Sequence, residues 1–326
     1  MKFREFSDVG WKVSEVGLGC WAIGSEWGDV SKEDATEVLK SSLDHGINFF
    51  DTADVYGDGR SERFVGELLK STNEKIYVAT KSGRRLNPHT SKGYNLNNIE
   101  SFIDRSLINL GVDCIDLLQL HCPPSDVCSK KETYEMMDEI VKKGKISYYG
   151  VSVEKVSEAM DAIQFPNVKS IQIIFNMFRQ KPAEEFFQEA AKKNVAIIAR
   201  VPLASGLLTG KMTESSSFPA NDHRNYNIKG EAFDVGETFS GVNFDKGLQA
   251  VEEIKKLIPN NFSLTDLALK WILMHQEITV AIPGAKKNYQ LSKNVNAVHL
   301  DDISSLMPLI KDVYSQYLKE DIHHRW

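Results

Sequence analysis

The sequence predicts an α/β protein in which eight strands, each followed by a helix, form a (β/α)8 TIM barrel. The first observation is that eight short apolar runs, rich in β-branched residues, recur along the 326 residues, as is typical of strands buried on both faces of a parallel sheet. The second is that turn residues and then a segment of helical periodicity follow each run. Eight such pairs favour a barrel over an open doubly wound sheet. Periodicity does not show closure, so the open sheet stays an alternative.

The strands are expected at residues 16–23, 46–52, 75–81, 115–121, 146–152, 170–176, 195–201 and 278–284. The helices between and after them are expected at residues 32–45, 60–70, 96–110, 131–143, 154–163, 183–193, 264–275 and 287–297. Ser31, just before two acidic residues, suits the N-cap of the first helix. Gly46 and Gly111 stand where a helix C-cap would need a left-handed residue.

A barrel needs about 250 residues, so some of this chain must lie outside it. MKFREF and WKVSEV, around residues 8–10, predict an N-terminal β-hairpin that plugs one end of the barrel. A long loop insertion over residues 210–264 precedes the last helices, includes a helical stretch near 245–257, and is expected to be mobile and functional. A C-terminal helix is expected over 302–318. None of these additions carries enough apolar residues for a second domain, so we expect one domain over residues 1–326.

Composition excludes several classes of protein. The net charge of -6 gives no basic excess for nucleic acid. No apolar run approaches the roughly 18 residues of a membrane span, and the first residues lack the hydrophobic segment of a secretory signal. The four cysteines lack CxxC spacing, which fits a reducing compartment and a cytoplasmic protein. No G-x-G-x-x-G follows the first strand, which disfavours a Rossmann dinucleotide site, and no metal-binding motif indicates a metal.

Ionisable residues end several of the predicted strands, where the loops of a barrel would bring them together. They are Asp51, Lys81 and His121, with Tyr56 on the loop after Asp51. Each alone is as readily explained as a cap, a rim residue or a solvated boundary residue, so the hypothesis depends on their coincidence. A tyrosine has a pKa of about 10, which a neighbouring ammonium lowers, while a carboxylate could orient that ammonium and a histidine could bind a substrate oxygen. This set suits protonation of a carbonyl oxygen while a nicotinamide or flavin delivers hydride.

Four motifs in this order resemble the aldo-keto reductase superfamily: DTADVYG, VATK, LLQLH and IPGAKKNYQLSKN. The resemblance runs from GLGCW to the IPGA segment, and VPLASGLLTGK and FPANDHR resemble its bacterial and potassium-channel-β-like branches. It implies that Asp51, Tyr56, Lys81 and His121 form a catalytic tetrad, with Tyr56 as the general acid in reduction. It also implies NADPH or NADP+ as the cofactor, bound across the barrel mouth.

The residues that the resemblance assigns to this cofactor are Trp21, Ser152, Gln172, Arg200, Pro202, Leu203, Ser205, Gly206, Lys211, Gly284, Lys286, Lys287, Gln290 and Asn294. Ser152 and Gln172 would bind the nicotinamide carboxamide, and the segment from Pro202 to Lys211 would cover the pyrophosphate. Lys286 and Lys287 would hold the 2′-phosphate, at the start of a helix whose amides attract anions. Gln290 and Asn294 would bind the adenosine.

Three positions depart from the family pattern: Val153 and Lys293 replace an asparagine and an acidic residue that relatives commonly carry, and Arg200 replaces an aromatic residue. A guanidinium beside an oxidised, cationic nicotinamide is unfavourable, so Arg200 could bias the protein towards reduction.

The sequence therefore predicts an NADPH-dependent reductase of a small-molecule aldehyde or ketone, with an aromatic-walled mouth formed by Trp21, Trp27 and Tyr56. One alternative is a nicotinamide-binding regulatory or interaction protein with little turnover on the same scaffold. A second is a barrel isomerase or lyase that uses the Lys81 amine as a Schiff base.

Overall fold

A computed structural model describes residues 1–24, 27–260 and 262–326. The strands, in chain order, are β1 (Phe3–Phe6), β2 (Trp11–Ser14), β3 (Leu18–Gly19), β4 (Phe49–Asp51), β5 (Tyr77–Ser82), β6 (Ile115–His121), β7 (Ile146–Ser152), β8 (Val168–Ile174), β9 (Ala196–Arg200) and β10 (Ile278–Ala281).

The α-helices are α1 (Trp21–Gly24), α2 (Lys32–Asp44), α3 (Arg60–Ser71), α4 (Leu96–Leu110), α5 (Ser125–Cys128), α6 (Lys131–Lys142), α7 (Val156–Ala162), α8 (Phe186–Lys192), α9 (His223–Tyr226), α10 (Phe244–Lys255), α11 (Leu264–Leu273), α12 (Asn288–Asn296), α13 (Met307–Tyr317) and α14 (Lys319–Ile322). Short 3-10 helices lie at Ser91–Gly93, Lys181–Ala183, Ala204–Thr209, Val235–Glu237, Phe239–Gly241, Ala297–His299 and Ser304–Leu306.

Strands β3 to β10 form one parallel sheet in which each strand pairs with its neighbours in the chain. Parallel bridges from Val16 to Ala281 and from Gly19 to Gly284 join the first of these strands to the last. A Cβ at Gly19 would lie 2.7 Å from the carbonyl oxygen of Ile282, so only glycine allows this close approach at the seam. The sheet therefore closes into the predicted (β/α)8 barrel, and the open-sheet alternative is wrong.

The helix caps follow the sequence signals. The Ser31 hydroxyl accepts a hydrogen bond of 3.0 Å from the Asp34 amide at the start of α2. Gly111 ends α4 with a φ of 67°, and Gly46 has a φ of 75° just beyond α2. These three predictions are confirmed.

The N-terminal residues form the predicted hairpin, in which β1 and β2 pair antiparallel. Its Phe6 and Trp11 side chains pack with Phe49 and Tyr77, which begin barrel strands, and the Trp11 and Tyr77 rings stack with centroids 4.6 Å apart. The hairpin thus fills the amino-terminal end of the barrel, which leaves the opposite end for a site.

Some predicted boundaries are wrong. Residues 20–23 were predicted as the end of a strand, but α1 begins at Trp21, because a short apolar run does not distinguish a buried strand from a buried helical turn. The helix predicted at 183–193 starts only at Phe186, after a 3-10 turn. In the insertion over 210–264, α10 confirms the helical stretch predicted near 245–257, whereas α9 and two 3-10 turns lie where only loop was expected.

None of the helices in the described part of the chain combines the length and apolarity that crossing a membrane requires.

Candidate active site

The carboxyl ends of the barrel strands surround a cavity of about 430 Å³. The sequence-predicted site residues that line it are Trp21, Asp51, Tyr56, His121, Ser152, Gln172, Arg200, Pro202, Leu203, Ser205, Gly206, Lys211, Gly284, Lys286, Gln290 and Asn294. Two predicted residues do not line it: Lys81 lies directly beneath, and Lys287 lies outside. The residues chosen from strand ends and from the start of α12 therefore share one cavity.

Lys81 is the centre of the buried ionic group below this cavity. Its ammonium donates hydrogen bonds to Asp51 Oδ1 at 2.5 Å, to the Thr52 carbonyl oxygen at 2.9 Å and to the Tyr56 hydroxyl oxygen at 3.2 Å. The side chain is fully buried, and Asp51 is 3% exposed. Because three acceptors engage the three N–H groups of an ammonium, the amine is poorly placed for attack on a carbonyl, which disfavours a Schiff base.

Asp51 is held on its other oxygen by two amides. Gln172 Nε2 donates to Asp51 Oδ2 at 2.7 Å, and Gln119 Nε2 donates to the same oxygen at 3.1 Å. Lys81 and Gln119 are opposite each other in the register of β5 and β6, which places the Gln119 amide close to the carboxylate that Lys81 contacts. The carboxylate is thereby fixed in position and can orient Lys81. Gln172 also lines the cavity.

Tyr56 and His121 are the proton-bearing groups that face the cavity, with ring centroids 5.9 Å apart at 85°. Burial, together with the charge of Asp51, raises the pKa of Tyr56 well above its ordinary value. This direction is opposite to the one expected from the sequence, because Asp51 balances the charge of Lys81 and the hydroxyl is desolvated. Burial, with Arg84 and Lys81, lowers the pKa of His121 well below its ordinary value. At neutral pH the site therefore presents a protonated phenol and a neutral imidazole.

Aromatic side chains wall the cavity beside Tyr56. The Trp21 ring lies parallel to it at 5.9 Å, and Trp27 meets Trp21 edge to face at 5.5 Å. Phe233, from the insertion, also meets Trp21 in an edge-to-face arrangement, with ring centroids 5.9 Å apart. The aromatic mouth expected from Trp21, Trp27 and Tyr56 is present, with Phe233 as a further member that the sequence did not single out.

At the far end of the cavity lies the amino terminus of α12. Gln290 Oε1 accepts hydrogen bonds from the Lys286 and Lys287 amides at 2.8 Å and 3.2 Å, so it caps this helix. The Lys286 ammonium reaches the Trp27 carbonyl oxygen at 2.6 Å and lines the cavity. Lys287 instead pairs with Asp34 at 2.6 Å on the surface and is 55% exposed. The sequence assigns both lysines to the 2′-phosphate, but only Lys286 lines the cavity.

A buried ion cluster that the sequence did not reveal adjoins the catalytic candidates. Arg84 contacts Glu154 and Glu237, and Arg200 contacts the same two carboxylates at 2.9 Å and 3.5 Å. Glu237 lies in the insertion, where no motif or periodicity marks it, so no sequence signal could have found it. Cys122 joins these carboxylates in a geometry that could hold a cation. Because the carboxylates already bind two guanidinium groups, we assign the cluster as ion pairs and not as a metal site.

The residues present fit an extended dinucleotide. The Gln172 amide and the Ser152 hydroxyl, both at strand ends, line the same part of the cavity as Tyr56 and His121. Lys286 and the amino terminus of α12 lie at the other end, where they suit a phosphate group. Between the two ends Gly206 lines the cavity with a φ of 100°, a backbone conformation that residues with a side chain rarely adopt. Asn294 donates to the Gly284 carbonyl at 3.2 Å, which fixes its side chain beside the cavity.

Comparison with known proteins places the chain in a family. Residues 15–307 match the model of the Aldo/keto reductase family. The chain is 33% identical to the Aldo-keto reductase YhdN of Bacillus subtilis over 298 residues, 89% of this chain and 87% of the relative. It is 30% identical to the Aldo-keto reductase yakc [NADP(+)] of Schizosaccharomyces pombe, over 88% of this chain and 84% of the relative. It is also 28% identical to a probable voltage-gated potassium channel subunit beta of Arabidopsis thaliana, over 98% of this chain and 97% of the relative.

Solved structures agree with the fold. The glycerol dehydrogenase AKR11B4 from Gluconobacter oxydans superposes with a TM-score of 0.78 at 28% identity, covering 97% of this chain and 96% of that chain. The holo form of the aldo-keto reductase AKR11C1 from Bacillus halodurans gives a TM-score of 0.75 at 27% identity, covering 96% of each chain.

Proposed function

The chain belongs to the aldo/keto reductase family of oxidoreductases, and from this premise we propose that it is an NADPH-dependent reductase that converts an aldehyde or ketone to an alcohol. The observation that carries the proposal is the Asp51–Lys81–Tyr56 chain of contacts, which ends in a hydroxyl facing the cavity beside His121. A protonated acid next to a hydrogen-bond donor is what the oxygen of a carbonyl needs as it gains charge.

In the proposed reaction, bound NADPH would supply the hydride. The neutral imidazole of His121 binds and orients the carbonyl oxygen, and Tyr56 donates the proton to that oxygen. Lys81, held by Asp51, donates a hydrogen bond to the phenolate oxygen that Tyr56 becomes, which offsets part of the cost of a negative charge there. The aromatic walls of Trp21 and Trp27 exclude water from the reacting atoms.

NADPH is proposed over NADH because Lys211, Lys286 and Lys293 line the cavity of a chain whose net charge is -6. A 2′-phosphate would be attracted to these cations. The relative from Schizosaccharomyces pombe carries NADP(+) in its name, which supports the same choice.

The experiment is a screen of aldehydes and ketones for oxidation of NADPH, with NADH in parallel. We expect turnover of at least one carbonyl compound and a higher kcat/KM for NADPH. Equal kcat/KM for the two cofactors would overturn the phosphate assignment.

The similarity to a probable channel subunit beta favours a second candidate, a nicotinamide-binding regulatory protein with little turnover. The carbonyl screen distinguishes the two candidates. The reductase would oxidise NADPH with at least one carbonyl compound, whereas the regulatory protein would bind NADPH tightly and oxidise almost none of it.

A cytoplasmic location is proposed on the four cysteines, none of which forms a disulfide. The proposed partner is a small-molecule carbonyl substrate.

A further inference from the structure

The ion cluster beside the active site brings together side chains from four separate segments. Arg84 follows β5, Glu154 follows β7 and Arg200 ends β9, while Glu237 comes from the insertion. All four side chains are between 7% and 19% exposed. These four charges balance when both carboxylates are ionised, and the neighbouring Arg179 and Asp234, which also interact with the cluster, are opposite in sign.

The two carboxylates are not equivalent. Burial alone raises the pKa of Glu237, but Arg84 and Arg200 outweigh burial and hold it well below its usual range. Burial raises the pKa of Glu154, and the guanidinium of Arg200 only partly offsets this. Glu154 is the nearer partner of Arg200, at 2.9 Å against 3.5 Å for Glu237. Glu237, which contacts both guanidinium groups, is the carboxylate that stays negative, so it supplies the more constant compensation for the charge of Arg200.

Backbone and side-chain contacts fix Glu237 against the barrel. The Ser205 hydroxyl donates to the Glu237 carbonyl oxygen at 3.0 Å. Asp234 begins the short helix that carries Glu237 by accepting from the Gly236 amide at 2.7 Å, and Trp326 Nε1 donates to Asp234 at 3.1 Å. These contacts hold the segment that carries Glu237 against the barrel, so the Glu237 carboxylate has a defined position.

The cluster lies within electrostatic reach of the reacting atoms. Arg200 and Glu237 line the same cavity as Tyr56 and His121. Arg84, Arg200 and Glu237 all change the pKa of the Tyr56 hydroxyl, and the two arginines help lower that of His121. A nicotinamide ring that transfers hydride to a carbonyl bound at Tyr56 has to lie within about 3.5 Å of the carbonyl carbon. The charges of the cluster therefore act on that ring as well.

We propose that Glu237, delivered by the insertion, neutralises Arg200 and thereby sets the relative affinity of the site for oxidised and reduced nicotinamide dinucleotide. The oxidised ring is cationic and the reduced ring is neutral, so an unbalanced Arg200 weakens binding of the oxidised form alone. The inference rests on the proposed function, because it requires that the cavity binds the dinucleotide. Glu237 is a positioning residue here, since it acts through Arg200 and forms no bond with the reacting atoms.

The test is the ratio of the dissociation constants of NADP+ and NADPH, measured by titration without any carbonyl substrate. In Glu237→Gln the ratio rises about tenfold, as expected for one uncompensated charge at short range in a partly buried site. In Arg200→Gln the ratio falls, because Glu154 and Glu237 then lack one of their two cations and their excess negative charge attracts the cationic oxidised ring. Glu237→Asp keeps the charge and keeps the ratio near that of the wild type.

Glu231→Gln is the matched control, since Glu231 lies in the same insertion but is exposed. Its ratio stays within about twofold of the wild type, because an exposed charge is screened. An unchanged ratio in both Glu237→Gln and Arg200→Gln, with tight binding of both dinucleotides, would overturn this inference alone. A wild-type protein that binds neither dinucleotide would overturn the proposed function and this inference with it.

Discussion

The ammonium of Lys81 donates a hydrogen bond of 3.2 Å to the hydroxyl oxygen of Tyr56. The contact joins a fully buried charge below the cavity to a phenol that faces it. Since Asp51 balances this charge, the Asp51–Lys81 ion pair orients the ammonium, and Tyr56 stays protonated at neutral pH. The buried ion pair, the proposed phosphate site, His121 and Tyr56 can each be tested separately.

The first prediction concerns stability. Lys81→Met removes one partner of the buried pair and leaves the Asp51 carboxylate with amide donors alone. We expect the free energy of unfolding to fall by about 3–5 kcal/mol, as is usual when a buried charge loses its partner. Urea unfolding of both proteins measures the difference.

Lys12→Met is the control, because Lys12 pairs with Glu5 in an exposed position. This substitution should lower the free energy of unfolding by at most about 1 kcal/mol. The double variant Asp51→Asn with Lys81→Met should regain part of the lost stability, since no charge is then left unpaired. Equal losses in Lys81→Met and Lys12→Met would show that the buried pair has no special role.

The second prediction separates the two neighbouring lysines of the proposed phosphate site. Lys286 lines the cavity, whereas Lys287 pairs with Asp34 at the surface. Lys286→Met should raise the dissociation constant of NADPH about tenfold, the effect of losing one charge-assisted hydrogen bond. Binding of NADH, which lacks the 2′-phosphate, should change little. Titration of each variant with both cofactors gives the comparison, and a larger effect from Lys287→Met would contradict this placement.

The third prediction is a dependence of stability on pH. The pKa of His121 lies below its ordinary value in the folded protein, while the unfolded chain restores a value of about 6.5. As the pH falls through that value, the unfolded state takes up a proton that the folded state does not. The free energy of unfolding therefore falls with decreasing pH, by up to about 1.4 kcal/mol per unit, and this contribution is absent above that window.

His121→Gln should remove this part of the slope, as measured by urea unfolding at a series of pH values. His324, which is exposed, provides the control, and His324→Gln should keep the slope of the wild type. If His121→Gln and the wild type lose stability in parallel as the pH falls, the neutral buried imidazole is not part of the folded state.

Much of the site could be predicted because a parallel barrel brings strand ends together in a known way. Asp51, Lys81 and His121 were found from their place at the ends of apolar runs, and Tyr56 from its nearness to Asp51. Arg84 and Glu237 could not be found, since they are 153 positions apart and Glu237 lies on a segment without periodicity. Sequence also gave the wrong direction for the pKa of Tyr56, because burial of a hydroxyl depends on neighbours distant in the chain.

The central claim is that Tyr56 donates the proton in an NADPH-dependent reduction, and the direct test is the kcat of Tyr56→Phe with a carbonyl that the wild type reduces. We expect kcat to fall by a factor of about 100 to 10,000, the usual contribution of a general acid, while the dissociation constant of NADPH stays within about twofold. A kcat equal to that of the wild type would contradict the claim.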